Sequence, residues 1–156
     1  MSATPKRRPS PAPSLQLSVQ YGVQPAHLPT RGALRRWTRA ALMRNARITL
    51  RIVGAREARA LNRRFRGRDY ATNVLSFCYP DGDAVNGDIA ICAPVVAREA
   101  RTLRIPRAAR YAHLTVHGVL HLQGYDHERP REALRMERLE ARILTALGYA
   151  HPYPDE

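Results

Sequence analysis

The segment His117-Gly118-Val119-Leu120-His121-Leu122-Gln123-Gly124-Tyr125-Asp126-His127 constrains this chain more than any other stretch of its 156 residues. On a helix, His117 and His121 stand four residues apart and project from one face, so both imidazoles reach toward the same point. Gly124 suits the left-handed conformation that ends a helix, and the turn it makes returns His127 to that point from the other side. The spacing therefore predicts a helix that stops in a glycine turn, with three imidazoles converging beside it. Three neutral imidazoles and an open fourth position describe a catalytic zinc site better than a structural one, which four protein ligands would close. His113 lies one turn earlier on the same face, too far back for a tetrahedral set, and takes a supporting or packing role.

The same His-x3-His-x2-Gly-x2-His spacing occurs in the metzincin protease helix, where a glutamate in second position is the general base for peptide cleavage. Here that position is Gly118. A glycine cannot take a proton, so the histidine set argues against ordinary proteolysis. Asp81, Asp83, Asn86 and Asp88 have the look of a calcium loop, but Val85 and Cys92 fall where an EF-hand needs its fifth and twelfth positions. That stretch reads as a polar surface loop.

The charge is one-sided. Residues 1–70 hold 16 basic side chains against Glu57 and Asp69, whereas residues 71–156 hold 10 basic and 11 acidic ones. Every basic side chain except Lys6 is an arginine, whose fork matches phosphate geometry. With a net charge of +13, this is the footprint expected of a polyanion binder. No run approaches the roughly 20 apolar residues of a membrane helix, and residues 1–14 lack the apolar core of a secretory signal. Cys78 and Cys92 make no disulfide scaffold and read as two small buried hydrophobes. A cytoplasmic location with no membrane association is expected.

Residues 1–14, with four prolines and Lys6, Arg7 and Arg8, carry too little apolar surface to order and read as a disordered basic tail. Leu15, Leu17, Val19 and Tyr21 alternate as in a half-buried strand. Thr30 caps a helix over residues 31 to about 45, with Leu34, Trp37, Ala41 and Leu42 on its inner face. A second strand covers residues 46–53. A second helix covers residues 55 to about 65, with Ala58, Leu61 and Phe65 inward. Strands at 74–77 and 88–92 flank a turn-rich loop at 80–87. Helices follow from Pro94, over 106–122, and over 131–147. The order β-α-β-α-β-β-α-α-α predicts an α+β (α/β-type) fold: about five helices packed on a small mixed sheet of about four strands. Residues 15–153 form a single catalytic metallohydrolase domain on this reading.

The His117–His127 block resembles the motif of the bacterial YbeY family, rRNA-maturation endoribonucleases. Leu61-Asn62-x-x-Phe65-Arg66-Gly67-x-Asp69 followed by Thr72-Asn73-Val74-Leu75-Ser76-Phe77 is similar to that family's second block, and Gly87-Asp88-Ile89-x-Ile91 to its strand block. Downstream, Met136-Glu137, Leu139-Glu140 and Ala146-Leu147-Gly148-Tyr149 also fit. The likeness covers roughly residues 46–153. It implies a zinc-dependent, single-strand-specific endoribonuclease acting in 16S rRNA 3′-end maturation and ribosome quality control. Its partners would be single-stranded RNA, 16S rRNA and the ribosome or its small subunit. By the same likeness His117, His121 and His127 are the ligands of one Zn2+ per chain, and Arg66 is implicated in activity. Gln123 departs from a frequently apolar position, a change of little cost on an exposed turn.

A guanidinium at Arg66 suits the negative charge that builds on phosphoryl oxygens during phosphodiester cleavage. Asp126 stands beside a ligand and is placed to orient one, Glu128 reads as an exposed turn carboxylate, and no general base is assigned. The arginines of residues 31–68 would hold the RNA backbone, with base stacking a lesser contribution because only 6% of residues are aromatic. Two other readings stay open: a ribosome-assembly factor that binds rRNA and whose metal is mainly structural, and a metal hydrolase of another substrate.

Overall fold

The structure is a computed structural model that describes residues 11–154. Its elements follow in the order β1 (Leu15–Tyr21), α1 (Arg31–Ala41), β2 (Ala46–Val53), α2 (Ala55–Arg66), β3 (Val74–Cys78), β4 (Val85–Cys92), α3 (Ala93–Leu103), α4 (Arg107–Leu122) and α5 (Pro130–Ala146). The four strands form one mixed sheet in the order β1-β2-β4-β3, with β1, β2 and β4 parallel and β3 antiparallel along β4. This is the expected α+β arrangement. Of the 1–14 segment, residues 1–10 lie outside the described residues, and Ser14 is tied to the fold by its N–H, which donates to Asn45 Oδ1 at 2.9 Å. Among the described residues, no helix is long and apolar enough to cross a membrane.

Burial follows strand position. The central strands β2 and β4 bury Ile48, Leu50, Ile52, Ile89 and Ile91 almost completely, while β1 at the edge alternates between core and solvent. Parallel strands covered by crossover helices lose water from their centre in this way. Thr30 caps α1 by accepting from the Ala33 N–H at 3.1 Å, and Leu34, Trp37 and Ala41 carry its buried face.

Several boundaries and faces differ from the sequence expectation. α1 stops at Ala41, short of residue 45, because Leu42 turns into extended backbone and the side chain of Gln123 takes the neighbouring peptide groups. Gln123 Nε2 donates to Ala41 O at 2.8 Å, and Gln123 Oε1 accepts from Met43 N at 2.7 Å. Gln123 is thus a clamp between α4 and the α1–β2 connection rather than a bystander on an exposed turn. β4 begins at Val85, inside the expected loop, because Val85 pairs with Ala46 and its N–H donates to Asn45 O at 2.8 Å. Cys92 is buried, but Cys78, the last residue of edge strand β3, is exposed. In α2 the buried positions are Ala58 and Asn62, whose amide Nδ2 donates to Tyr70 O at 2.9 Å. That anchor sets the helix's rotation, so Leu61 is only half-buried and Phe65 faces solvent, 53% exposed.

Helix α4 lies at the centre of the molecule, against the sheet and against α1, α3 and α5. From Tyr111 to Leu122 every residue is buried except His113, His117 and His121. Their four-residue spacing makes them a single half-open stripe along an otherwise enclosed helix. Gly118 faces the sheet: a Cβ there would meet Ile89 Cδ1 at 3.1 Å. A glutamate at this position would therefore drive into β4 rather than point toward the histidines.

Candidate metal centre

The histidine stripe of α4 supplies two of the expected ligands, and the turn after the helix supplies the third. Gly124 takes φ 98°, a left-handed conformation that suits glycine, and the chain doubles back so that His127 faces the helix it has just left. The ring centroids of His127 and His117 are 5.3 Å apart, and those of His127 and His121 6.3 Å. All three rings line one cavity of about 290 Å³, and Arg66 lines it from the end of α2. Arg66 is held there by a hydrogen bond from Nη2 to Ser76 O at 3.0 Å, with its guanidinium 5.8 Å from the Phe77 ring centroid.

The outer nitrogens of the two helical histidines are already engaged. His121 Nδ1 faces the carbonyl of Tyr125 at 3.1 Å and His117 Nδ1 faces Glu140 Oε1 at 2.8 Å. Both partners are acceptors, so each Nδ1 carries the hydrogen and each Nε2 keeps a free lone pair. Burial pushes His121 below the ordinary histidine range against the opposing pull of the Tyr125 carbonyl, which favours the neutral ring a metal requires.

Asp126 also enters the cluster. Ligand atoms of His121, Asp126 and His127 lie within 4.8 Å of one another, and Asp126 Oδ1 accepts from the His127 N–H at 2.7 Å. That hydrogen bond holds the Asp126 carboxyl below its ordinary pKa. The tightest group therefore has Asp126 where the sequence reading has His117, which stands one helical turn back with its ring tied to Glu140. Three imidazoles with one carboxylate at hand are a donor set that suits a zinc-like cation.

Glu140 was legible in the sequence only as part of a motif, with no role attached. It is 1% exposed and grips the histidine stripe from α5. While Oε1 holds His117, Oε2 meets His113 Nε2 at 3.1 Å and accepts from the Tyr153 hydroxyl at 2.9 Å. Arg110 Nη1 donates to His113 Nδ1 at 3.2 Å, which leaves the His113 hydrogen on Nε2, facing Glu140. Burial alone would raise the Glu140 carboxyl, but its hydrogen bonds with His113 and His117 outweigh it and bring the pKa down to about 2. Burial and the adjacent Glu140 carboxylate raise the Tyr153 phenol. A carboxylate in the apolar stripe of Met136, Ala141 and Leu144 was the signal available for this role.

Two of the arginines expected to face RNA are paired within the protein: Arg51 with Glu57 at 2.6 Å and Arg59 with Asp69 at 2.7 Å. A different basic surface lies on α5. Arg131, Arg135, Arg138 and Arg142 line a groove of about 400 Å³ together with Tyr125, and among the described residues no carboxylate lines it.

Comparison with known proteins adds a family. The family model described as endoribonuclease YbeY matches residues 30–148, which extends the likeness upstream through α1. The endoribonuclease YbeY of Aromatoleum aromaticum is 52% identical over 142 residues, covering 89% of this chain and 92% of that protein. The endoribonuclease YbeY of Thiobacillus denitrificans is 53% identical over 144 residues, covering 91% and 98%. The solution structure of TM1509 from Thermotoga maritima shares the fold with a TM-score of 0.56 at 22% identity, covering 85% of this chain and 92% of that one.

Proposed function

The chain belongs to the endoribonuclease YbeY family, and from that premise we propose that it is an RNA-cleaving hydrolase whose activity depends on one zinc ion per chain. Its substrate on this reading is single-stranded RNA, cut in the cytoplasm during 16S rRNA 3′-end maturation and ribosome quality control, on the ribosome or its small subunit. His117, His121 and His127 would hold the ion, with Asp126 beside them. The observation that carries the reading is that these three imidazoles and Arg66 line a single cavity, with the Nδ1 atoms of His117 and His121 directed away onto acceptors.

When bound, such an ion supplies Lewis-acid chemistry: it acidifies coordinated water and polarises a phosphoryl oxygen. The chain's own residues do the rest. Glu140 and the Tyr125 carbonyl hold hydrogens on the Nδ1 atoms of His117 and His121, which fixes the ring that each presents to the cavity. Arg66 is anchored by one Nη2 contact, and among the described residues no other hydrogen bond holds its remaining donors, which can meet phosphoryl oxygens as charge builds on them. The α5 groove offers four guanidiniums to backbone phosphates, and Tyr125 links it to the loop that carries His127.

The test is cleavage of a labelled single-stranded oligoribonucleotide by protein purified without a histidine tag. His121→Ala is expected to abolish cleavage while leaving RNA binding and the melting temperature close to wild type, and chelator is expected to do the same to the wild-type protein. Arg66→Ala purified in parallel controls for contaminating ribonuclease. If His121→Ala melts the domain and the wild-type protein never cuts RNA, the chain is instead an rRNA-binding assembly factor whose metal is structural.

A further inference from the structure

The chain has only two phenylalanines, and both lie outside the core, side by side next to the histidine site. Phe65 is 53% exposed, and its ring centroid is 5.0 Å from that of Phe77 at an interplanar angle of 58°. Tyr79 stands beside them, largely exposed, with its hydroxyl donating to Asp88 Oδ2 at 2.9 Å. The Arg64 guanidinium sits 5.2 Å from the Phe65 ring centroid. These rings are not isolated surface hydrophobes. Phe65, Phe77 and Tyr79 line a cavity of about 360 Å³ whose other walls include Arg66 and His121. One apolar ledge thus borders a candidate metal ligand and the arginine proposed to meet the phosphate.

We propose that this ledge is a nucleobase subsite: an unpaired base of the RNA, adjacent to the phosphate that is cut, stacks on Phe65 and Phe77 with Tyr79 closing the far side. The inference rests on the endoribonuclease reading and gives its single-strand preference a physical origin. A base inside a duplex already has both faces covered by its neighbours, whereas a base in a single strand offers a free face to an aromatic ring. The phosphate next to such a base falls beside Arg64 and Arg66, so ring and guanidinium together fit one nucleotide. The low aromatic content of the chain does not weigh against stacking, because what matters is that the exposed rings gather at the cavity that His121 lines. Hydrogen bonding of Tyr79 and the contact between the two phenylalanines order the ledge before RNA arrives, which reduces the entropy lost on binding.

A cycle between ring and base tests this. The probe is a single-stranded oligoribonucleotide of known cleavage position, together with versions in which one nucleotide at a time around the cut bond is abasic. For wild-type protein, removing one particular base is expected to lower kcat/KM on the order of tenfold, the scale of one base–aromatic contact. Phe65→Ala is expected to lose a similar factor on the intact oligonucleotide and little more on the abasic one, while Phe65→Trp stays within about twofold of wild type. Stopped-flow quenching of 2-aminopurine at the same position, read before cleavage, is expected in wild type and Phe65→Trp but not in Phe65→Ala. Equal losses for Phe65→Ala on intact and abasic RNA, or no loss on either, would overturn the subsite while leaving the nuclease intact. A wild-type protein that does not cut RNA would overturn the nuclease reading and the subsite with it.

Discussion

Replacing Glu140 removes a carboxylate that holds His113, His117 and Tyr153 at once. Glu140→Ala leaves His117 Nδ1 without its acceptor and strips the carboxylate from the His113–Tyr153 pair, and is expected to lower stability by about 3 kcal/mol, measured by denaturant unfolding. Glu140→Gln keeps the volume but not the charge, and is expected to weaken zinc binding by roughly 10- to 100-fold in calorimetric titration. Arg66→Ala removes one exposed hydrogen bond to Ser76 O; kcat is expected to fall on the order of 100-fold with the melting temperature close to wild type. The convergence of His117, His121 and His127 was legible because helical spacing and a glycine turn are local features. Glu140 was not, because its meaning depends on α5 packing beside α4, a contact between segments distant in sequence. Phe65 misled for a related reason: an apolar residue at helical spacing reads as inward, but Asn62 and its bond to Tyr70 O set the rotation of α2.

At the scale of elements, the alternation of strands and the periodicity of helices were visible in the sequence, whereas their ends were set by partners elsewhere in the chain. The end of α1 is one such case. Gln123 joins Ala41 O, Met43 N and Val119 O through a single amide. Gln123→Ala is expected to cost about 1–3 kcal/mol, because the freed peptide groups of a partly buried junction lose their partner. The loss should appear as a lower melting temperature and as faster amide exchange at Met43. Gln123→Leu is expected to recover packing but not the Met43 hydrogen bond. The start of β4 is the converse case, where pairing with β2 recruits Val85 and Asn86 into a strand that their own polar surroundings did not announce.

For the whole molecule, charge was legible in amount but not in location. The basic excess of residues 1–70 is partly spent on internal pairs such as Arg59 with Asp69, while α5, in the half with no net basic excess, presents a groove of four arginines. RNA affinity is expected to fall linearly with the logarithm of salt concentration, and the double change Arg135→Ala, Arg138→Ala to reduce that slope by roughly 1.4, about 0.7 for each phosphate contact on a single strand. Fluorescence anisotropy over a salt series measures it. The proposed cleavage depends most on convergence of the histidines upon one cation. Elemental analysis of tag-free protein after dialysis addresses that convergence directly. One zinc ion per chain is expected for wild type, with occupancy lost in His121→Ala and in His127→Ala. A folded wild-type protein that retains no metal when zinc is supplied, or variants that retain as much as wild type, would contradict it.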